Sequence, residues 1–165
     1  MKITIISDTH ISTIKNNLAH RILEDIKSSD ICLHAGDFIE HKVFEELSLL
    51  TKVYGVCGNM DDDQIRKNLP VMRIIEAGGV KIALTHGRGS PIKILNSIKT
   101  IFESSYQDID IFVFGHSHIP LNKTIDGKIY FNPGSPTDKI FAPYNSYGIL
   151  NIENKTIRRR LIKIE

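Results

Sequence analysis

Short apolar runs alternate with longer amphipathic stretches along the first two thirds of the chain. Apolar residues at helical spacing predict helices over residues 13–28 and around 43–50, and a third helix with Ser90 as N-cap and Pro91 as its first residue. Strands that alternate with helices are typical of βαβ units, in which helices cover a sheet. The runs that predict strands are Lys2 to Ile6, Ile31 to His34, Val53 to Cys57, Val80 to Thr85 and Ile111 to Phe114.

The last third of the chain is mostly β. Closely spaced strand candidates are joined there by turn residues such as Asp126-Gly127 and Asn154-Lys155. These strands are Ile119 to Thr124, Lys128 to Phe131, Ser146 to Ile152 and Thr156 to Ile164. Because no linker rich in Pro, Gly or Ser separates the two parts, the sequence predicts one layered α/β domain over residues 1–165 with two packed sheets.

Composition and charge narrow the class of protein. The 165 residues are 41% hydrophobic and 24% charged, which is typical of a soluble globular protein. A net charge of +2 is too small to indicate nucleic acid or anionic lipid as a partner. The first residues turn polar at Asp8, too early for a signal peptide, and no apolar run is long enough to cross a membrane. We therefore expect a cytoplasmic protein.

Each strand of the first group is followed by a side chain that can bind a metal ion. The carboxyl ends of strands in α/β sheets are where ligands collect, so we expect these side chains to meet. Four imidazoles, two carboxylates and one amide are too many ligands for one tetrahedral Zn²⁺, but they suit two ions bridged by Asp37. The seven candidate ligands are Asp8, His10, Asp37, Asn59, His86, His116 and His118.

Mixed imidazole and oxygen donors favour transition metals over Ca²⁺ and Mg²⁺. We expect two divalent ions, with Mn²⁺ foremost and Ni²⁺, Zn²⁺, Fe or Co²⁺ as alternatives that the sequence does not separate. Such a pair of ions attracts phosphate oxygens, so phosphate esters are the expected substrates. The nucleophile would be a metal-bound hydroxide, and no catalytic side chain beyond the ligands is needed.

These motifs, in this order and over essentially the whole chain, resemble the calcineurin-like metallophosphoesterase superfamily. The matching segments are Asp8-Thr9-His10, Gly36-Asp37, Gly58-Asn59, His86-Gly87 and Gly115-His116-Ser117-His118. The short length and Asn132-Pro133-Gly134-Ser135 are similar to the small YfcE-type phosphodiesterases, whose relatives include the retromer subunit vacuolar protein sorting 29.

The resemblance implies a four-layer α/β/β/α sandwich of two mixed β-sheets flanked by helices, and it suggests a homodimer. It also implies two groups of metal ligands that share Asp37. One group is Asp8, His10, Asp37 and His118, and the other is Asp37, Asn59, His86 and His116.

Two positions depart from the family pattern. Many phosphomonoesterase relatives have a histidine after the asparagine ligand, and it resembles a general acid. Met60 stands there in this chain and has no proton to give, which favours phosphodiesters with good leaving groups. Arg88 stands where relatives often have a second histidine, and it can bind phosphate together with Asn59; the alternative is an exposed side chain on a loop.

The leading hypothesis is a dimetal phosphoesterase that acts on small phosphodiesters. One alternative is a non-catalytic protein-interaction scaffold on the same fold, which the intact Asp37 and the four ligand histidines disfavour. Another is a metal-dependent nuclease, although no long basic groove is indicated by the charges. The run Arg158 to Arg160 is interpreted as protection of a sheet edge, and Asp61 to Asp63 as the acidic start of a short helix.

Overall fold

The computed structural model describes residues 1–15 and 17–164. The strands in this part of the chain are β1 (Lys2–Ile6), β2 (Ile31–His34), β3 (Lys52–Gly55), β4 (Met72–Ala77), β5 (Val80–Thr85), β6 (Ile111–Val113), β7 (Leu121–Ile125), β8 (Lys128–Asn132), β9 (Ser146–Glu153) and β10 (Thr156–Lys163). The helices are α1 (His20–Lys27), α2 (His41–Ser48), α3 (Asp63–Asn68) and α4 (Ile94–Ile101), followed by a 3₁₀ helix over Glu103–Asp108.

The strands form two mixed five-stranded sheets. The first sheet has the order β10-β9-β1-β2-β3, and the second has the order β4-β5-β6-β8-β7. In the first sheet β1, β2 and β3 are parallel, whereas β9 runs antiparallel to both β1 and β10. In the second sheet β5, β6 and β8 are parallel and the edge strands β4 and β7 are antiparallel to them. The parallel strands end at one edge of each sheet, which gathers the loops that follow them.

Apolar side chains pack the two sheets face to face. Ile3 and Ile5 of β1 lie in one buried cluster with Ile82 and Leu84 of β5. Ile6, on the opposite face of β1, belongs to a second cluster under the helices. This alternation of faces along a strand is what allows one strand to supply two layers of core.

Helices cover the outer faces of both sheets. Ile22 of α1, Leu47 of α2 and Ile65 of α3 pack in the second cluster against the first sheet. Ile98 of α4 packs against Phe112 and other side chains of the second sheet. The predicted four-layer α/β/β/α sandwich is therefore confirmed.

All predicted strands are present, but β4 was missed. Three of its six residues are exposed, including Met72 and Ile74, so the segment lacks the buried apolar run that identified the other strands. The hairpin turns Asp126-Gly127 and Asn154-Lys155 are confirmed, and all four residues have the positive φ of a type I′ turn. Arg158 to Arg160 lie in β10 at the edge of the first sheet, as predicted.

Two helix boundaries were predicted wrongly. The first helix starts at His20, not near residue 13, and residue 16 of the predicted helix lies outside the described part. The Glu46 carboxylate of α2 accepts the backbone N–H of Ile14 and the hydroxyl of Thr13, which holds this segment as a turn. The last helix begins at Ile94 with Lys93 at its N-cap position, because Ser90 and Lys93 close a separate turn first.

Among the described residues, no helix has the length and hydropathy that crossing a membrane requires.

Candidate metal centre

The loops at the carboxyl ends of the parallel strands bring all seven predicted side chains together. Asp8 and His10 follow β1, Asp37 follows β2, and Asn59 follows β3 of the first sheet. His86 follows β5, and His116 and His118 follow β6 of the second sheet. The cluster therefore lies where both sheets end, and each sheet supplies part of it.

One half of the cluster is formed by Asp8, His10, His118 and one oxygen of Asp37. The Nε2 atom of His118 lies 3.3 Å from Oδ1 of Asp8 and 3.3 Å from Nε2 of His10. The same His10 nitrogen lies 3.6 Å from Oδ2 of Asp37. Donor atoms of Asp8, His10 and His118 all lie within 4.8 Å of one another, a spacing that can hold a metal ion.

The other half is formed by Asp37, Asn59, His86 and His116. The Nε2 atom of His86 lies 3.4 Å from Oδ2 of Asp37 and 3.0 Å from Oδ1 of Asn59. Nδ1 of His116 lies 2.9 Å from the same Asn59 oxygen and 3.3 Å from His86 Nε2. Oδ2 of Asp37 thus approaches imidazoles of both halves, which places this carboxylate oxygen between them.

When neutral, as metal binding requires, three of the imidazoles direct a lone pair into the cluster. His86 Nδ1 lies 2.8 Å from the carbonyl oxygen of Ala35, and His116 Nε2 lies 2.9 Å from that of Gly89. A carbonyl oxygen only accepts, so these nitrogens carry the protons and the opposite nitrogens carry lone pairs. In His118, Nδ1 likewise contacts the carboxylate of Asp138, and Nε2 faces Asp8.

This donor set fits divalent cations. Lone pairs of His86 and His116 face each other and the Asn59 oxygen at 2.9–3.3 Å, which is repulsive unless a positive charge lies between them. Donors placed about 2.0–2.2 Å from one ion in tetrahedral geometry are roughly 3.4 Å apart. The observed separations match that spacing, and imidazole with carboxylate and amide oxygen suits transition metals.

The buried carboxylates make the cluster electronegative. Asp8 is 0% exposed and Asp37 is 2% exposed, so both charges need nearby positive charge. The hydrogen bond to Asp8 raises the pKa of His118 to about 9 against the effect of burial, and Asp138 adds to this rise. Burial would lower the pKa of His86, but its contacts with Asp37 and Asp8 outweigh it and the pKa is raised.

The cluster is held in a strained backbone. Left-handed φ angles cost non-glycine residues roughly 1–3 kcal/mol each, and such residues concentrate at functional sites. Backbone hydrogen bonds between loops compensate here: the N–H of Asp8 donates to Gly36 O, and that of His10 to Asp37 O. The candidate ligands with left-handed φ are Asp8 (52°), His10 (47°), Asp37 (57°), His116 (67°) and His118 (56°).

Asp61 has a role that the sequence analysis missed. Its carboxylate is buried and accepts the backbone N–H groups of Asp37, Ile39 and Gly58. The interpretation of this residue as part of a helix start is therefore wrong, although Asp62 does cap α3 by accepting the N–H of Ile65. Asp61 ties the loop that carries Asp37 to the loop that carries Asn59. Nothing in the sequence distinguishes it from the two aspartates that follow.

Gly58 is required by the same arrangement. A Cβ atom at this position would lie 2.1 Å from Oδ1 of Asp37, which no packing tolerates. The glycine before Asn59 thus lets the Asp37 carboxylate approach the neighbouring loop closely.

Asp138 is the second residue that the sequence analysis missed. Its carboxylate contacts Nδ1 of His118 and accepts the backbone N–H groups of Ile140, Phe141 and Ala142. Burial would raise its pKa, but the contact with His118 and these N–H groups lower the pKa to about 2. A carboxylate behind a ligand imidazole fixes its orientation and raises its basicity.

The Asn132–Ser135 motif forms hydrogen bonds with the loops that carry the candidate ligands. Ser135 donates its hydroxyl to the backbone oxygen of Asp8, and Ser7 donates its hydroxyl to the oxygen of Gly134. Asn132 donates to the backbone oxygen of Gly115. The motif that suggested the narrower family branch thus links the loops of both sheets. Behind the loop that carries Asp37, His34 is fully buried, lies 3.1 Å from the Thr9 hydroxyl and stacks on Phe38.

Arg88 lies beside the cluster, not in the cleft above it. A cleft of ≈ 910 Å³ opens over the cluster and is lined by His10, Asp37 and Met60 among others. Arg88 is exposed and lines a separate cavity of ≈ 430 Å³ together with Arg66. Asn59 lines both spaces, so the two candidate phosphate-binding residues adjoin each other.

We predict that Asp138→Asn weakens the binding of Mn²⁺ by about 10- to 100-fold, because the His118 imidazole loses its anionic partner. Calorimetric titration of the metal-free protein with Mn²⁺ measures this change. Asp126→Asn, the same substitution at the tip of the β7–β8 hairpin, is the control and should bind the metal like the wild type. Equal Mn²⁺ affinities for Asp138→Asn and the control would contradict the prediction.

Comparisons with known proteins agree with this geometry. The chain is 32% identical over 170 residues to a probable metallophosphoesterase of Methanocaldococcus jannaschii, and the match covers 100% of this chain and 82% of that protein. Zinc-bound Vps29 of Entamoeba histolytica shares the fold with a TM-score of 0.76 at 22% identity over 99% of both chains. An archaeal phosphodiesterase shares it with a TM-score of 0.72 at 24% identity over 98% of this chain and 100% of that chain.

The match to a family model is equally extensive. The model of the calcineurin-like phosphoesterase superfamily domain matches residues 1–155, a range that contains every side chain of the cluster. The chain therefore belongs to the calcineurin-like phosphoesterase superfamily.

Proposed function

We propose that this protein is a dimetal phosphodiesterase that hydrolyses small phosphodiesters with water activated at the metal pair as the nucleophile. The observation that carries the proposal is the position of Asp37, whose Oδ2 lies 3.6 Å from His10 Nε2 in one half of the cluster and 3.4 Å from His86 Nε2 in the other. A carboxylate oxygen between two sets of donors is the arrangement that a pair of ions requires.

Each half of the cluster has a complete donor set in this proposal. Asp8, His10, Asp37 and His118 would hold one ion, and Asp37, Asn59, His86 and His116 the other. Bound there, two divalent ions supply an acidified water and positive charge for the phosphorus oxygens. We expect Mn²⁺, and the zinc-bound Vps29 structure supports Zn²⁺ as an alternative for this fold.

The protein's own residues orient the substrate. Asn59 lines both the cleft and the adjoining cavity that Arg88 lines. In this proposal the Asn59 amide and the Arg88 guanidinium, reaching over from that cavity, bind phosphate oxygens. The buried loops exclude water beneath the cluster, since Asp8, Asp37 and His86 are nearly inaccessible. The cleft over the cluster gives the substrate phosphate a path to the metal pair.

Met60 supports a diester over a monoester as the substrate. Its side chain is 57% exposed and lines the cleft next to Asn59. A thioether donates no proton, so a leaving group has no help from this position. An alkoxide leaves poorly without a proton, whereas an aryloxide leaves readily. The fold shared with an archaeal phosphodiesterase agrees with this choice.

The Vps29 neighbours raise a scaffold function as the rival hypothesis. Asp37 and the four imidazoles are present in this chain, and hydrogen bonds orient three of the imidazoles, which supports metal binding and an enzyme. Nucleic acid as substrate is not supported by the net charge of +2. A homodimer remains a prediction from the family resemblance.

We predict that the Mn²⁺-loaded protein hydrolyses bis(4-nitrophenyl) phosphate at least about 100-fold faster than glycerol 2-phosphate, because general acid help worth about 10² to 10⁴ is absent. Release of nitrophenol and of phosphate measures the two rates. 4-Nitrophenyl phosphate is a monoester with the same leaving group as the diester. Comparison of these two rates separates the effect of the ester type from the effect of leaving-group ability. Asp37→Asn should abolish turnover of all three esters. Equal or reversed rates on the diester and the alkyl monoester would contradict the proposal.

We predict that Arg88→Ala raises KM for the same diester by about 10-fold and changes kcat less, because a charge-assisted phosphate contact is lost. Arg88→Lys should retain part of the affinity, since it keeps the charge but not the planar fork. Steady-state kinetics measure both constants, and Arg158→Ala on the edge strand β10 is the control. If Arg88→Ala leaves KM and kcat unaltered, the residue does not bind phosphate.

A further inference from the structure

The cleft above the cluster has more room than a phosphate group needs. Its volume of ≈ 910 Å³ is at the upper end of the range for sites that bind whole organic ligands. The floor is polar, with His10, His116 and His118, but the walls include apolar side chains. The apolar residues of the walls are Ile11, Met60, Pro91, Pro136 and Phe141. A ligand that fills this cleft therefore has a charged end and an apolar end.

Phe141 is an unusual member of the wall because it is both exposed and fixed. The residue is 73% exposed, although a phenyl ring in water is unfavourable. Its backbone N–H lies 3.2 Å from each carboxylate oxygen of Asp138, so the chain is held at this point. The ring stands nearly perpendicular to the His118 imidazole, at 82° with 6.0 Å between centroids.

Asp138 couples the aromatic ring to the metal centre. The same carboxylate contacts the imidazole of His118 and accepts the N–H groups that form the loop around Phe141. A shift of the backbone at Phe141 relative to His118 would break these contacts. The attachment point of the ring is thus held beside the place where a phosphate would be cleaved, which suits a specificity residue.

The neighbouring residue provides a comparison. Ile140 is 82% exposed and donates its own N–H to the same Asp138 carboxylate, yet it lies outside the residues that line the cleft. Two adjacent apolar side chains on one loop are therefore exposed, and only Phe141 faces the cleft. This difference makes Ile140 a matched control.

We propose that Phe141 is a specificity-determining residue that packs against an aromatic ester group of the substrate while the phosphate lies over the metal cluster. The inference rests on the proposed function and names its substrate class, phosphodiesters with an aromatic substituent. Aromatic rings pair by stacking or edge to face at centroid distances of 4.5–7 Å, and such pairs contribute about 0.5–1.5 kcal/mol. Because Asp138 already holds the backbone at Phe141, only the ring has to be ordered when this contact forms.

Binding of two phosphonates to the Mn²⁺-loaded protein tests the inference without turnover. Phenylphosphonate and methylphosphonate share the charged group, and their C–P bonds resist hydrolysis. We expect the wild type to bind phenylphosphonate more tightly than methylphosphonate in calorimetric titrations. Phe141→Ala should weaken phenylphosphonate binding by about 2- to 12-fold and leave methylphosphonate binding unchanged. Phe141→Trp should retain the preference, and Ile140→Ala should resemble the wild type.

Three results would overturn the inference: no preference for the phenyl group in the wild type, no binding of either phosphonate, or an equal loss of both in Phe141→Ala. The last result would show that the ring only supports His118. Hydrolysis of bis(4-nitrophenyl) phosphate by the same samples separates this inference from the proposed function. Turnover without phenyl preference contradicts the role of Phe141 alone, whereas phenyl preference without turnover contradicts the phosphodiesterase assignment alone.

Discussion

Two buried carboxylates and the imidazoles that face them depend on positive charge at one point of this structure. Asp8 and Asp37 are almost completely removed from water, where an unpaired carboxylate is very costly. The carbonyl oxygens of Ala35 and Gly89 fix the tautomers of His86 and His116, so these rings present acceptors to each other. The chain belongs to the calcineurin-like phosphoesterase superfamily, and divalent cations bound here would supply the positive charge that phosphate ester hydrolysis uses.

The remainder of the fold places and supports this cluster. Two sheets pack face to face and end at a common edge, so loops of both sheets supply ligands. Left-handed backbone at Asp8, Asp37 and His118 is tolerated because hydrogen bonds between loops hold it. The carboxylates of Asp61 and Asp138 support the candidate ligands from outside the cluster. Both accept backbone N–H groups, and Asp138 also contacts the imidazole of His118. The outer part of the cleft, with Phe141 on its wall, is built on the same Asp138 loop.

The sequence predicts that these seven side chains meet, because each of them follows a recognisable strand. Buried strands such as β1 and β5 are short apolar runs, and Asp8 and His86 come directly after them. The strand β4 was missed because an exposed edge strand has no such run. The start of α1 was misplaced because the contact between Glu46 and Ile14, distant in sequence, replaces helix by turn. Long-range contacts of this kind also define Asp61 and Asp138, which no local pattern distinguishes from surface aspartates.

The most direct test of the account is a crystal structure of the Mn²⁺-soaked protein with anomalous scattering from the metal. The account predicts two anomalous peaks roughly 3.5–4 Å apart on either side of the Asp37 carboxylate. One peak should lie among Asp8, His10 and His118, and the other among Asn59, His86 and His116. A single peak, or peaks only elsewhere on the surface, would contradict the dimetal centre.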